Sequence, residues 1–497
     1  MLRKEFDRVT PESIGISSAG IARFLDALEG GHTQMHGLQI MRHGKICAEG
    51  WWAPFAPGMP HMCNSLTKTY MGTAIGIACT EGLLKLSDRL IDIFPEYMPA
   101  EPSPYIDQLT VDKVLCMGTG MTRFPSEEGN WVRNFIAVPL DNEPGTAFFY
   151  NSVGSTFLGK IIEKLTGKHV YDYLNEKLFR KIGIDYDVLM YGLAPAGQDM
   201  WAWRTVSTTE DNLRLMKLYA NGGVWEGERI LSEEYVALAT SMRNDSATEK
   251  AVNAPATDNF VGYGYQMWMC KYPGAYRADG AAGQFSIVIP DKDMIVSINE
   301  NARNPQKTLD AVWDYLMPAV SEDPLPEDEV ALRSLRRRMA TLAIEAPAYA
   351  PYSPRKTTAD GVYQVVDGTF DLYCTSMGSG DKTLLADSFE LHFAPMEGRI
   401  DWQAKDRRRC SVTFATDGSR RFNRYDSPWQ FAEQCWANAL WENDNDLRLE
   451  LLWPEANASR TLTFKFSDEG VQVCENTVSG PPTPGQPLTL VTNAVKK

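Results

Sequence analysis

The period of the apolar positions changes along this chain, and each change predicts an element. Between residues 17 and 30, "SSAGIARFLDALEG", apolar side chains recur at helical spacing and predict an amphipathic helix. In "LQIMRHGKICAEGWW" (38–52) two apolar runs flank His43-Gly44 and predict a β-hairpin. Helical patterns and Gly/Pro-rich loops fill residues 65–250. "FSIVIPDKDMIVSIN" (285–299) then predicts two more strands about Pro290-Asp291, and "PQKTLDAVWDYLMPAV" (305–320) a helix that can pack on the sheet. Strands at both ends of a helical body predict an α+β domain whose sheet is completed by segments distant in sequence.

A second regime follows. After a basic helical patch, "LRSLRRRM", and the Pro-rich "EAPAYAPYSPR", the pattern shortens to alternating runs such as "SFELHFAP", "CSVTFATDG", "LRLELLWPE" and "RTLTFKFSDEGVQV", which predict antiparallel strands of an all-β, barrel-like domain or sandwich. The expected organisation is an α+β domain over 1–321, a linker over 322–355, an antiparallel β-barrel or sandwich domain over 356–475, and a flexible tail over 476–497. In "SPWQFAEQCWANALW", Trp429, Trp436 and Trp441 exceed what a small barrel needs for its core and predict a packed interface with the rest of the chain or a second subunit.

Composition narrows the function classes. A length of 497 residues, 44% hydrophobic and 23% charged, suits a globular chain of two domains. The formal net charge of -15 disfavours nucleic acid as a partner, since an acidic surface repels phosphate. The N-terminal "MLRKEFDRVTPESIGIS" lacks the apolar core of a secretory signal, and no apolar stretch reaches the roughly 18 residues needed to span a bilayer, so a cytoplasmic protein without membrane contact is expected. The nine cysteines are scattered without a C-x-x-C pair and are expected to be reduced core residues, so no metal site and no cofactor are predicted.

The candidate chemistry starts at "HMCNSLTKTYMGTAIGIACTEGLL" (61–84). Ser65 and Lys68 stand three apart at the head of a segment that is small and apolar on every face through Ala78, so the helix start lies inside the protein. At that spacing the two side chains share a face, and a desolvated lysine loses basicity and becomes a proton acceptor near neutral pH. The alternative is a serine N-cap followed by a lysine that snorkels to solvent. Roughly one chance Ser-x-x-Lys is expected in a chain of this length, and Ser379-Gly380-Asp381-Lys382, in a turn-like stretch with no apolar helix behind it, reads as that chance match. Two further constellations follow: Tyr150-Asn151-Ser152 leading into an amphipathic helix, and Ala278-Asp279-Gly280-Ala281-Ala282-Gly283 beside the strand that starts near Phe285.

In this order the three motifs resemble those of the class C β-lactamase-like serine hydrolases, a superfamily that also holds D-alanyl-D-alanine carboxypeptidases, D-aminopeptidases, and esterases and amidases including hydrolases of nylon oligomers. The resemblance spans about residues 10–320 and extends to "LTVDKVLCMGTGM", "YANGGVWEGERILSEEYV" and "GYGYQMW". It implies a β-lactamase/transpeptidase-like catalytic domain: an antiparallel sheet flanked by helices, plus a helical subdomain. Ser65 would be the nucleophile. Lys68 would be its base or the group that keeps Tyr150 deprotonated. Tyr150 would be the acid that protonates the leaving group, and the backbone N–H groups of Ser65 and Ala281 the oxyanion hole. Asn151, Ser152, Asp279 and Gly280 would contact substrate. No G-x-S-x-G elbow supports a Ser-His-Asp triad, and the six histidines suggest no site, with His61 ending the loop before the nucleophile.

Two departures bear on the substrate. The middle motif is Tyr-Asn-Ser rather than the common Tyr-x-Asn, and the third lacks the lysine or histidine that holds a substrate carboxylate in penicillin-recognising relatives. Ala278 stands there, beside Asp279, which would repel a carboxylate and attract an amine unless Arg277 neutralises it. Trp51, Trp52, Trp131, Trp201 and Trp203 are candidates to line the cleft. The expectation is a serine hydrolase acting through an acyl-enzyme on a small ester or amide. The alternatives are a D-amino-acid peptidase or β-lactamase of the same superfamily, or an acylated binding or sensor protein without turnover. The sequence leaves the oligomeric state open.

Overall fold

A computed structural model describes residues 4–30, 33–126, 129–184, 205–345, 358–374, 382–428, 432–476 and 489–497. The chain forms two compact units, Met1–Leu342 and Ala343–Lys497. Ser379, Trp201, Trp203 and Trp429 lie outside the described residues.

The first unit is built on strands β1 (Thr33–Arg42), β2 (Lys45–Trp51), β3 (Trp268–Met269), β4 (Tyr276–Gly280), β5 (Gln284–Ile289) and β6 (Met294–Ala302), in the spatial order β2–β1–β6–β5–β4–β3. All pairs are antiparallel, with Ile40 opposite Val296 and Ile295 opposite Val288 in the central registers. The β1–β2 hairpin turns at His43 and Gly44, both in the left-handed region (φ 50° and 71°), which matches the right-handed twist of the flanking strands. Residues 35–42 of β1 are buried without a break, so this sheet is covered on both faces.

The helices that matter for the site are α1 (Ser18–Leu28), α2 (Thr67–Thr80), α3 (Ser152–Thr166), α4 (Thr209–Ala220) and α5 (Glu329–Met339). Helix α4 starts with a capping box, in which the Thr208 hydroxyl accepts from the Asp211 N–H and the Asp211 carboxylate accepts from the Thr208 N–H; it packs across β1, β5 and β6. Helix α2 is buried from Thr67 through Ala78 and packs against α3. An α-helix without a solvent face has its start inside the protein, which is what allows a reactive side chain there to be dry.

Two boundaries differ from the sequence reading. Helix α5 lies where a linker is expected, yet it belongs to the first unit: Arg338 bonds Asp26 at 2.6 Å and Glu29 at 2.5 Å on α1. Its charged sequence conceals a single docking stripe, of which Leu335 is buried. Residues 489–496, inside the expected tail, form a strand paired in register with both Gly361–Asp367 and Gly470–Asn476.

The second unit is a ten-stranded antiparallel sheet that closes on itself through a parallel bridge, Ala415 to Asn438. Its strands alternate buried and exposed residues, as in Ala458–Phe466, the pattern of a barrel wall with one dry face. Trp441 faces that dry interior with 4% of its surface exposed, whereas Trp436 is half-buried against Phe422. The excess of tryptophan in this stretch is therefore partly core. Among its buried polar residues, Arg460 is bonded to Asp371 at 2.8 Å and Glu475 at 2.6 Å, so its charge is compensated.

Candidate active site

Ser65 sits in a single 3-10 turn, Asn64–Leu66, that feeds directly into α2. Asn64 enters the turn at φ 49°, and the Thr67 hydroxyl donates to the Asn64 carbonyl at 2.6 Å, so the turn is tied to the first helical residue. Neither the turn nor α2 has a side-chain N-cap, which removes the reading of Ser65 as a capping serine. Nor does Lys68 snorkel. Only 1% exposed, it donates from Nζ to Ser65 Oγ at 2.9 Å. Burial lowers its pKa to about 7, partly opposed by the nearby charge of Asp279.

Tyr150 completes the cluster. Its ring lies 5.1 Å below Lys68 Nζ, centroid to nitrogen. Burial pushes its phenol well above the usual range; a hydrogen bond with Ser65 works the other way, and the charges of Asp279 and Glu249 add to the rise. Of the two groups beside Ser65, the lysine is thus the one able to lose its proton near neutral pH, while the tyrosine keeps its own. The two shifts run in opposite directions, the lysine toward its neutral form and the phenol toward its protonated one.

The loop carrying Tyr150 is pinned by its neighbours. Phe149 N–H donates to Met117 O at 3.0 Å, and Asn151 caps α3 by accepting from the Gly154 N–H at 3.1 Å. The Asn151 amide points to Met121 Sδ at 3.5 Å and the residue is buried, so both ends of this side chain are engaged within the fold. Ser152 is the first residue of α3 and is partly exposed.

Strand β4 brings the third motif to the nucleophile. A Cβ on Gly280 would stand 2.0 Å from Cys63 O and 3.1 Å from Leu66 N, so only glycine lets the strand approach the Ser65 turn this closely. Beyond it, Asn64 Nδ2 donates to Ala281 O at 2.8 Å and fixes that peptide plane. Among the described residues, neither the N–H of Ser65 nor that of Ala281 donates to a protein acceptor. Two backbone donors beside a nucleophilic oxygen, with no partner of their own, can receive an oxyanion.

Asp279 is placed differently from the amine-attracting role its sequence context suggests. Arg277, fully buried, donates to Asp279 at 2.7 Å, Met269 O at 2.8 Å and Asn259 Oδ1 at 2.5 Å. The aspartate charge is therefore matched in place. The candidate tryptophans also fall elsewhere: Trp52 is buried and bonds Glu29 at 2.7 Å, Trp131 packs on Phe157, and Trp51 lies on the far edge strand. Behind Tyr150 lie Trp268, stacked on it with centroids 5.5 Å apart, and Tyr263, set edge-on at 6.3 Å; both are buried and hold the Tyr150 ring in place. Sequence reasoning missed both, although they occupy the "GYGYQMW" stretch, where the Gly262–Trp268 spacing was the available signal.

Just before the nucleophile, His61 pairs with His36 at 2.7 Å, and His36 stacks on Phe55. Both imidazoles are buried and their pKa values lowered, that of His61 to about 4 by desolvation. The folded chain thus favours neutral rings, while an unfolded chain takes up protons below about pH 6.5. Stability carried by His61 is fully present above that pH and is lost as the pH falls toward 4, by up to about 3 kcal/mol. Urea unfolding at pH 7 and pH 4.5 measures it. His61→Gln should lose less stability than the parent across this interval, and an equal loss in both proteins would refute the account.

A family model described as Beta-lactamase matches residues 23–320. Among curated relatives, penicillin-binding protein 4 of Amycolatopsis lactamdurans is 26% identical over 279 residues, covering 48% of this chain and 71% of its own. The 6-aminohexanoate-dimer hydrolase of Paenarthrobacter ureafaciens is 23% identical over 289 residues, covering 52% and 70%. A solved structure of the octameric penicillin-binding protein homologue from Pyrococcus abyssi is 16% identical with a TM-score of 0.46, over 92% of this chain and 97% of that one. Since the matched span takes in more than half of the chain and all three motifs, the chain belongs to the β-lactamase family and is a serine hydrolase of that superfamily.

Proposed function

We propose that this hydrolase cleaves a small ester or amide through an acyl-enzyme on Ser65. As Ser65 Oγ adds to the substrate carbonyl, its proton passes to neutral Lys68 Nζ, and the carbonyl oxygen gains negative charge against the N–H groups of Ser65 and Ala281. Collapse of the adduct breaks the bond to the leaving alcohol or amine, which takes a proton from the Tyr150 phenol, and Lys68 returns its proton to Tyr150. Water then attacks the acyl-enzyme, losing a proton to Lys68 as before, and Ser65 departs with a proton as the acid is released. The single observation carrying this reading is the 2.9 Å contact from Lys68 Nζ to Ser65 Oγ in a dry site that lowers the lysine pKa to about 7.

Substrate preference follows from the third motif. With Ala278 where relatives place a cation, and Asp279 held by Arg277, no free positive charge stands there to receive a substrate carboxylate. Trp268 and Tyr263, both buried, back the Tyr150 ring from the core and hold it beside Ser65 rather than meeting substrate themselves. The name of the 6-aminohexanoate-dimer hydrolase supports the amide option.

A fluorophosphonate probe tests the nucleophile: one equivalent should attach to the peptide carrying Ser65, and labelling at another serine would end the proposal. A panel of p-nitrophenyl esters, anilides and nitrocefin tests the substrate class. Neutral esters or anilides should turn over at least about a hundredfold faster than nitrocefin, in line with a missing charge-assisted contact. Nitrocefin as the best substrate would reverse the assignment.

A further inference from the structure

Far from Ser65, on the opposite edge of the sheet, a groove of about 650 Å³ runs between β2 and α5. It lies four strand spacings from β4, roughly 19 Å across the sheet, and no residue of the catalytic cluster lines it. Its volume falls within the roughly 300–1,000 Å³ of small-molecule sites. The floor is apolar: Val9, Ile46, Ala48, Leu332, Leu335 and Met339.

The ends of the groove are closed by main chain. Ile46 N–H donates to Asp7 O at 2.9 Å and Val9 N–H to Ile46 O at 3.0 Å at one end, and Ala53 N–H donates to Leu342 O at 3.0 Å at the other. A strand from another chain therefore finds no continuous edge to extend along, whereas a compact molecule finds a half-open groove.

Charge selects among compact molecules. Three charged residues line the groove: Arg8, Glu49 and Arg336. Glu49 is occupied by Arg8, at 3.1 and 3.2 Å, and by Gln39 at 3.0 Å. Arg336 has neither an ion pair nor a side-chain hydrogen bond among the described residues, unlike Arg338 one position beyond Arg337, which is bound to α1. Glu12, Glu327, Asp328 and Glu329, together with Arg333, line the adjoining cavity that Arg336 also borders, and four carboxylates against two guanidinium groups oppose a multiply charged anion. The lining thus offers one unmatched positive charge at the mouth of an apolar slot.

We propose that this groove binds an amphipathic monocarboxylate, its aliphatic chain along the β2–α5 floor and its carboxylate on Arg336. Binding of decanoate to the full-length chain, measured by calorimetry and by the fluorescence of Trp51 in the lining, tests it. The protein is first labelled at Ser65 with the fluorophosphonate, so that occupancy of the catalytic cleft does not contribute. From hexanoate to decanoate each methylene should tighten binding about three- to fourfold. Arg336→Glu should weaken decanoate at least about tenfold and leave decanol unaffected. Leu332→Trp, which fills the slot, should weaken both. Affinity independent of chain length, or unchanged in Arg336→Glu, would overturn the proposal, as would decanoate binding that disappears when Ser65 is labelled. A change of association state in Arg336→Glu with unaltered decanoate affinity would make the groove a contact between copies of the chain and would equally overturn it.

Discussion

Replacing Lys68 with methionine should abolish turnover and make the protein more stable. The first half follows from the proposed mechanism: Nζ, 2.9 Å from Ser65 Oγ, is the group proposed to take its proton, and a methionine side chain has no atom to do so. A loss in kcat of about a thousandfold or more is expected, the same for Ser65→Ala, and no greater for the double variant, because groups acting as one unit do not contribute additively. The second half follows from linkage. The lysine pKa falls from 10.5 in the unfolded chain to about 7 in the folded one, so at pH 7 and below the fold carries the full penalty of a buried ammonium, on the order of 3–5 kcal/mol. Between pH 7 and 10.5 the unfolded chain binds more protons, and the penalty fades as pH rises. Lys68→Met should therefore melt higher than the parent at pH 7, with the advantage shrinking toward pH 10. Activity of the parent should climb through pH 7 as the amine becomes neutral. A variant that is dead and also less stable at pH 7 would mean that Lys68 is a stabilising partner rather than a poised base.

How much of this was legible from sequence depends on whether local pattern or long-range packing placed the residue. Ser65 and Lys68 were readable because the helix behind them has no polar face, and a helix enclosed all round puts its start indoors whatever surrounds it. The hairpins at His43-Gly44 and Pro290-Asp291 were readable because turn chemistry is local. The structure brings Ser65, Lys68, Tyr150, Asp279 and Ala281 together, but the surroundings of each were set by pairing across the sheet. Arg277 and Asp279 stand two apart on β4 and so share a face, where they form an ion pair. Asn151 reads from sequence as a substrate amide, whereas in the fold its side chain accepts from the Gly154 N–H and caps α3. Trp268 was hidden because its partner, Tyr150, lies more than a hundred residues away. Helix α5 and the strand at 489–496 were misread for a related reason: a charged stripe and a short polar strand acquire their elements from what they dock on, a case of tertiary context overriding propensity.

Gly280→Ala is expected to have the second largest effect, through the distance between two backbones. The added methyl carbon would stand 2.0 Å from Cys63 O and 2.9 Å from the Gln284 Cβ, neither of which is the end of a flexible chain. Strand β4 must therefore retreat from the Ser65 turn, and it carries Ala281 with it, so the two N–H groups proposed to receive the oxyanion separate. Losing one such donor costs about a hundred- to a thousandfold in kcat, while KM for a small neutral ester should change little because the oxyanion charge develops only in the transition state. Overpacking a dry contact also destabilises, by about 1–3 kcal/mol. Gly159→Ala is the control for glycine replacement as such, since Gly159, like Gly280, has no left-handed φ but meets nothing nearer than 3.4 Å at the added carbon. Fluorophosphonate labelling separates the two consequences. Gly280→Ala protein that stays folded should label at Ser65 more slowly than the parent, since that reaction also develops charge on an oxygen held by the same donors, whereas an unfolded fraction would lower the extent of labelling and leave the rate of the rest unchanged. Parent-like labelling and kcat in a folded Gly280→Ala protein would show that the close approach of β4 serves packing alone and that the oxyanion is held elsewhere.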